Sequence, residues 1–228
     1  MAGSPCRAIP VDLRRVSGDD VHLAQEPDDF ALLCGFAEVL PEPLGEFLNA
    51  VAARRHGLKV LLGVWIGRDA IENDREIAIA ADLARRFPGT IAAIIVGNEV
   101  LLRREQPAAG LITLIERARA AIPASIPVTY ADVWEFWLKN REIYDAVDFV
   151  TIHILPYWED MPVRAKFAAN HVDDIRKRMA VAFPDKEILI GETGWPSAGR
   201  MREGALPSRT NQARVVSEIL DLAKREKF

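Results

Sequence analysis

From residue 58 onward the chain alternates short apolar runs with longer stretches of helical periodicity, and that alternation narrows the architecture more than any other feature. The runs cover residues 58–65, 91–96, 126–130, 148–153 and 187–191. They are nearly continuous in apolar character, as parallel strands covered on both faces are. Between them, Ile77, Ala80, Ala84 and Phe87 recur at helical spacing, as do Leu111, Leu114, Ile115 and Ala118. Val172, Ile175 and Met179 repeat the pattern, and Val216, Leu220 and Ala223 predict the core-facing stripe of a last helix. The punctuation agrees. Gly57 sits where a helix C-cap belongs, prolines follow Phe87 and Phe183, and Ser208 stands at a helix N-cap position.

Strand and helix repeated five times is an α/β pattern. It closes either as an open doubly wound sheet or as a (β/α)8 TIM-type barrel. The open nucleotide-binding sheet usually carries a glycine-rich first turn, and none occurs here. Polar, chemically useful residues instead follow strand after strand, where barrel active sites lie. The barrel is therefore expected, in incomplete form. The runs take the places of strands three to seven, no strand eight follows the last helix, and the first two units are poorly formed. Residues 1–57 are expected as an ill-matched N-terminal segment, with one weak strand at residues 31–36, and residues 58–228 as the barrel proper.

Composition removes other classes. Of 228 residues half are apolar and 27% charged, so a disordered chain is excluded. A net charge of −4 offers no basic surplus for nucleic acid. Two cysteines, Cys6 and Cys34, make no disulfide framework. No apolar run approaches the roughly 18 residues of a spanning helix, so no membrane segment is expected. The first residues lack the apolar stretch of a signal peptide.

Two glutamates stand out. Glu99 follows one strand in Val-Gly-Asn-Glu-Val, and Glu192 follows another in Gly-Glu-Thr-Gly-Trp-Pro-Ser. A buried, unpartnered carboxylate costs several kcal/mol, so two at equivalent strand ends invite a chemical reading. In a parallel barrel they converge on one mouth, and two facing carboxyls are the equipment of glycosidic bond cleavage. All five tryptophans fall after a predicted strand: Trp65, Trp134, Trp137, Trp158 and Trp195. Such rings stack on the C–H face of a sugar, although Trp137, in a helix-like stretch, is expected in the core. Asn98, Asp132 and His153 lie at the same strand ends as candidate hydroxyl binders. His153 has no second histidine at ligand spacing, so no metal and no cofactor are expected.

These motifs, with His-Ile-Leu-Pro-Tyr-Trp-Glu from His153, together resemble glycoside hydrolase family 17, in particular its bacterial members. The resemblance runs from about Gly57 to the C-terminus. It implies a retaining β-1,3-glucanase or a related glucanosyltransferase on a (β/α)8 barrel, with β-glucan as substrate. It makes Glu99 the acid/base and Glu192 the nucleophile. By the same resemblance Asn98 holds the sugar 2-hydroxyl, Tyr157 orients Glu192, and Trp158 and Trp195 stack against the glucan. It also implies a parent protein acting in the periplasm, outside the cell or attached to a membrane. A non-catalytic glucan-binding remnant is the alternative, since the barrel is incomplete.

Overall fold

The computed structural model describes residues 32–33 and 44–228, with side chains at residue 47 and from residue 49 onward. Six parallel strands form one sheet in strictly sequential order: β1 (Leu32–Leu33), β2 (Lys59–Val64), β3 (Ile91–Asn98), β4 (Val128–Val133), β5 (Val150–Ile154) and β6 (Ile188–Thr193). A doubly wound sheet reverses its strand order at a switch point. An unreversed order with every pair parallel is barrel topology, and the sheet is a curled, incomplete (β/α)8 barrel, as expected. Of the weak strand expected at residues 31–36, Leu32 and Leu33 are described and form β1, and the rest lie outside the described residues.

Helices α1 (Leu44–Arg55), α2 (Ala70–Arg86), α3 (Ala108–Ala121), α4 (Trp134–Lys139), α5 (Ala168–Ala182) and α6 (Arg209–Glu226) alternate with the strands. Their ends follow the sequence signals. Gly57 takes φ +69° after α1, and the Leu58 N–H returns to the Ala53 carbonyl, closing the helix. Asp69 caps α2 by accepting from Ile71 N–H at 2.8 Å, and Ser208 caps α6 by accepting from Asn211 N–H at 3.0 Å. After β4 the crossover is a six-residue α4 followed by a 3-10 turn at Arg141–Ala146. Trp137 is buried there, donating to the Thr151 carbonyl, in the core role expected of it.

The strands bury two faces. Ile94 and Val96 pack outward on Leu111 and Ile115 of α3, while Leu61, Ala93, Ile95 and Ala131 line the other face with Phe149 and Leu189. Residues alternate because successive strand side chains point to opposite faces. Two features differ from expectation. The stripe of α6 that meets the core is Val215, Ile219 and Leu222, whereas Val216 and Leu220 are exposed. Both rows share the same i, i+4, i+7 spacing and differ by one residue, about 100° of helix rotation. Spacing alone cannot choose between them. The second difference is β6, which is half-buried along most of its length where β2 to β5 are mostly buried. Among the described residues β6 has one neighbouring strand, so its second side lies open.

Candidate active site

The C-terminal ends of β3 to β6 bring the polar residues together. Asn98 ends β3 and Glu99 follows it. Asp132 lies in β4, His153 in β5 and Glu192 in β6, with Val133 paired to His153 and His153 to Glu192. Glu192 thus stands inside the sheet register, a residue or two earlier in its strand than a loop residue would. Glycine makes this possible. A Cβ at Gly191 would lie 2.7 Å from Thr151 Cγ2 and 3.0 Å from His153 Cε1, so β6 approaches β5 only because that side chain is missing.

One carboxylate oxygen each of Glu99 and Glu192 and one ring nitrogen of His153 all lie within 4.8 Å of one another. Among the described residues this is the group spaced to grip a cation, and it is also a pair of facing carboxyls. The oxygens that face each other are closer than the roughly 6.5–9.5 Å between carboxyls that leaves room for a water. His153 Nε2 sits 2.8 Å from Asn98 Oδ1 and 3.7 Å from Glu192 Oε1. Burial lowers the His153 pKa to about 4, so the ring is neutral at ordinary pH. A neutral ring protonated at Nε2 donates to Asn98 Oδ1, which leaves the Asn98 amide N–H₂ outside that contact.

The two carboxyls are unequal. Burial, and then the neighbouring Glu192 charge, raise the Glu99 pKa, with Arg103 opposing. Burial alone raises that of Glu192, whose side chain is 47% exposed. When two like charges share a site, the second ionisation is the one suppressed. A charge on Glu192 therefore favours the protonated form of Glu99.

A model of the BtgE/BtgC glycoside hydrolase domain matches residues 46–228. The chain belongs to that family. It is 29% identical over 180 residues to the "Probable beta-glucosidase btgE" of Aspergillus clavatus, covering 77% of this chain and 31% of the relative. It is 27% identical over 179 residues to a glucan 1,3-beta-glucosidase of Candida albicans, covering 71% and 58%. The chain therefore spans about a third to three-fifths of these relatives' lengths. Among solved structures, the glycoside hydrolase family 17 β-1,3-glucanosyltransferase of Rhizomucor miehei superposes with a TM-score of 0.71 at 27% identity, over 79% of this chain and 67% of that one. An active-site mutant of it in complex with laminaritriose gives 0.72 at 26% identity, covering 80% and 68%. The family 17 resemblance in the motifs is thus matched on independent grounds.

In this BtgE/BtgC-family domain the aromatic residues divide. Trp65, after β2, and Trp158, after β5, are each 45% exposed. Trp195 is only 3% exposed, its ring 5.7 Å from Tyr157 and its N–H donated to the Leu206 carbonyl. The ring packs on Tyr157 in a T-shaped contact and is shielded from solvent, so the expected stacking surface is a packing contact. The Tyr157 hydroxyl donates to the Arg200 carbonyl at 2.5 Å, not to Glu192. Asp132, expected to bind sugar hydroxyls, is wholly buried, its carboxylate accepting from the Tyr130 hydroxyl and from Val133 N–H. For Tyr157 and Trp195 a partner from another part of the chain claims the polar atom, and for Asp132 its own strand neighbours do; strand-end position reveals neither.

Sequence reasoning missed Arg103, Tyr130 and Arg202. The Arg103 guanidinium lies 4.3 Å over the Trp65 ring, grips Glu105 at 2.7 Å and donates to the Asn98 carbonyl. Its one sequence signal was a position four residues beyond Glu99. Arg202 donates to the Tyr157 carbonyl at 2.7 Å and the Glu159 carbonyl at 3.1 Å, tying the loop after β6 to the loop after β5. Among the described residues no helix is long and apolar enough to cross a membrane.

Proposed function

We propose that this domain cleaves β-1,3-linked glucan with retention of anomeric configuration, with Glu192 as nucleophile and Glu99 as acid/base. The observation that carries the proposal is the close pair of carboxyls, Glu99 the one whose protonated form burial and the other's charge favour. The linkage rests on the family relatives named glucan 1,3-beta-glucosidase and on the fold neighbour whose mutant is bound to laminaritriose.

In the first step a Glu192 oxygen attacks the anomeric carbon as the glycosidic C–O bond breaks, and Glu99 gives its proton to the departing oxygen. The product is a glycosyl ester on Glu192 and an ionised Glu99. In the second step Glu99 takes a proton from water, whose oxygen attacks the same carbon and releases Glu192. Two inversions give retention. The Asn98 amide, fixed by neutral His153, donates to the sugar 2-hydroxyl. Trp158 and Trp65 are the exposed rings on which glucan stacks. Trp195 supports Tyr157 beneath that surface.

A second reading has one specific support, the glucanosyltransferase among the fold neighbours. There Glu99 takes the proton from an acceptor sugar hydroxyl instead of water, and all else is unchanged. Incubating the chain with laminari-oligosaccharides and resolving the products by size tests both readings. Shorter products alone mean hydrolysis, and products longer than the substrate mean transfer. Glu192→Gln and Glu99→Gln should each reduce turnover by at least about a hundredfold. Glucan binding without turnover by the unaltered chain would instead support a non-catalytic binding module.

A further inference from the structure

A non-glycine residue rarely adopts left-handed backbone geometry, yet Glu99 takes φ +52° two residues after Gly97 at φ +84°. The chain there leaves β3 and winds into a tight turn. Arg103 N–H returns to the Glu99 carbonyl at 2.8 Å, Arg104 N–H to Leu101 at 3.0 Å and Glu105 N–H to Val100 at 3.0 Å. The first N–H groups of any such helical turn have no partner within the turn itself. Here they point at β4, and consecutive β4 residues meet them. The Ala131 carbonyl takes Glu99 N–H at 2.8 Å. The Tyr130 hydroxyl takes Leu101 N–H at 3.0 Å. The Asp132 carboxylate in turn accepts from that Tyr130 hydroxyl and from Val133 N–H, and so holds the hydroxyl in place against the turn.

We propose that Asp132 and Tyr130 are positioning residues for Glu99: a buried clamp on β4 that fixes the left-handed turn and so aims the acid/base carboxyl. The inference rests on the reading of Glu99 as acid/base. Asp132 itself is wholly buried and Tyr130 is 1% exposed, so neither reaches a sugar and both act through the turn. A purely structural explanation fits less well. Asp132 keeps a carboxylate in a site that disfavours its charge, its pKa pushed up to about 6 mainly by burial. A neutral side chain there would avoid that penalty, but asparagine would lose one acceptor and present an N–H₂ where the clamp needs an acceptor. The Tyr130 hydroxyl is likewise kept protonated by burial and by Asp132, so it donates to the carboxylate while accepting from the turn.

Leaving-group dependence separates a misaimed acid from a damaged fold. Protonation by Glu99 matters for a sugar leaving group and little for dinitrophenolate, whereas attack by Glu192 is needed for both. In the full chain, kcat/KM is measured for a laminari-oligosaccharide and for a dinitrophenyl β-laminaribioside. Asp132→Asn should lower the first by about 10- to 100-fold, with a loss on the second at least about tenfold smaller. Tyr130→Phe, which removes one oxygen and keeps the ring packing, should show the same selectivity with a smaller loss. Glu192→Gln should lose both substrates together. Combining Asp132→Asn with Glu99→Gln should add nothing to Glu99→Gln alone. Equal losses on both substrates in Asp132→Asn and Tyr130→Phe would overturn the clamp while leaving the proposed function standing. An unaltered chain that turns over neither substrate would overturn the proposed function and the clamp with it.

Discussion

Placing a methyl group at Gly191 tests whether close approach of β6 to β5 shapes the site. The ideal Cβ falls 2.7 Å from Thr151 Cγ2 and 3.0 Å from His153 Cε1. Carbon atoms in good contact sit roughly 3.5–4.0 Å apart, so β6 must move away by about 1 Å or the neighbours must yield. Thr151 and His153 are both buried, at 0% and 2% exposure, and have nowhere to go. Overpacking of this kind costs about 1–3 kcal/mol. Gly191 is absent from the positive-φ glycines, so alanine also restricts the unfolded chain and recovers about 0.4–1 kcal/mol. The net loss is about 1–2 kcal/mol, or a melting temperature lower by roughly 2–8 °C for a chain of this size. Turnover should fall more than stability. Glu192 is the next residue, and a displacement near 1 Å in a reacting group lowers rate by about a hundredfold. Thermal melts by circular dichroism and laminari-oligosaccharide turnover read both effects. Thr151→Ser deletes Cγ2 while keeping an oxygen for the 3.0 Å contact with Thr129, and should restore part of each loss. A Gly191→Ala chain that melts at or above the original temperature with turnover within twofold would refute the reasoning.

The raised pKa of Asp132 also carries a sign for stability. Its folded value is about 6 against an ordinary 3.8, so its stabilising contribution is full below the unfolded value and is lost as pH rises through about 6. Relative to Asp132→Asn, the original chain should lose on the order of 3 kcal/mol between pH 4 and pH 8, seen as converging or crossing denaturant midpoints; a constant gap contradicts it. On α6, Ile219→Ala should destabilise by about 2–4 kcal/mol and Leu220→Ala by under about 0.5 kcal/mol; the reverse order by urea melts would mean the helix is turned the other way. Trp158→Ala, removing an exposed ring, should raise the Kd for laminari-oligosaccharides about tenfold by calorimetry without moving the melting temperature. Trp195→Ala should lower the melting temperature by several degrees, since that ring is packed; equal melts for the two would contradict the division.

The strands and the alternation were legible because a buried parallel strand leaves a mark that needs no partner to be read: a short run of apolar residues between helix stops. Each of the five expected runs overlaps an observed strand within two or three residues. Glu99 and Glu192 were legible as unusual because a charge at the end of an apolar run is unfavourable without a reason. His153 and Asn98 were visible by position, but their 2.8 Å contact depends on which side of β5 faces β3 across β4. Side-chain fates were harder. Asp132, Tyr157 and Trp195 stand at strand ends like the others, yet Tyr130, Arg200 and Leu206 claim their polar atoms first.

By itself, then, the sequence determined the α/β class, the strand positions, the helix caps and the two strand-end carboxyls proposed for acid–base work on a sugar. Periodicity and propensity are properties of short segments, so they survive without the rest of the chain. Tertiary structure alone decided which of two equally spaced stripes on α6 meets the core. It also recruited Tyr130 and Arg103, and brought Glu99, His153 and Glu192 within 4.8 Å of one another. The reason is physical: helix phase and strand register are set by which neighbour completes the burial, and a hydrogen bond is settled by whichever partner the fold delivers within about 3 Å.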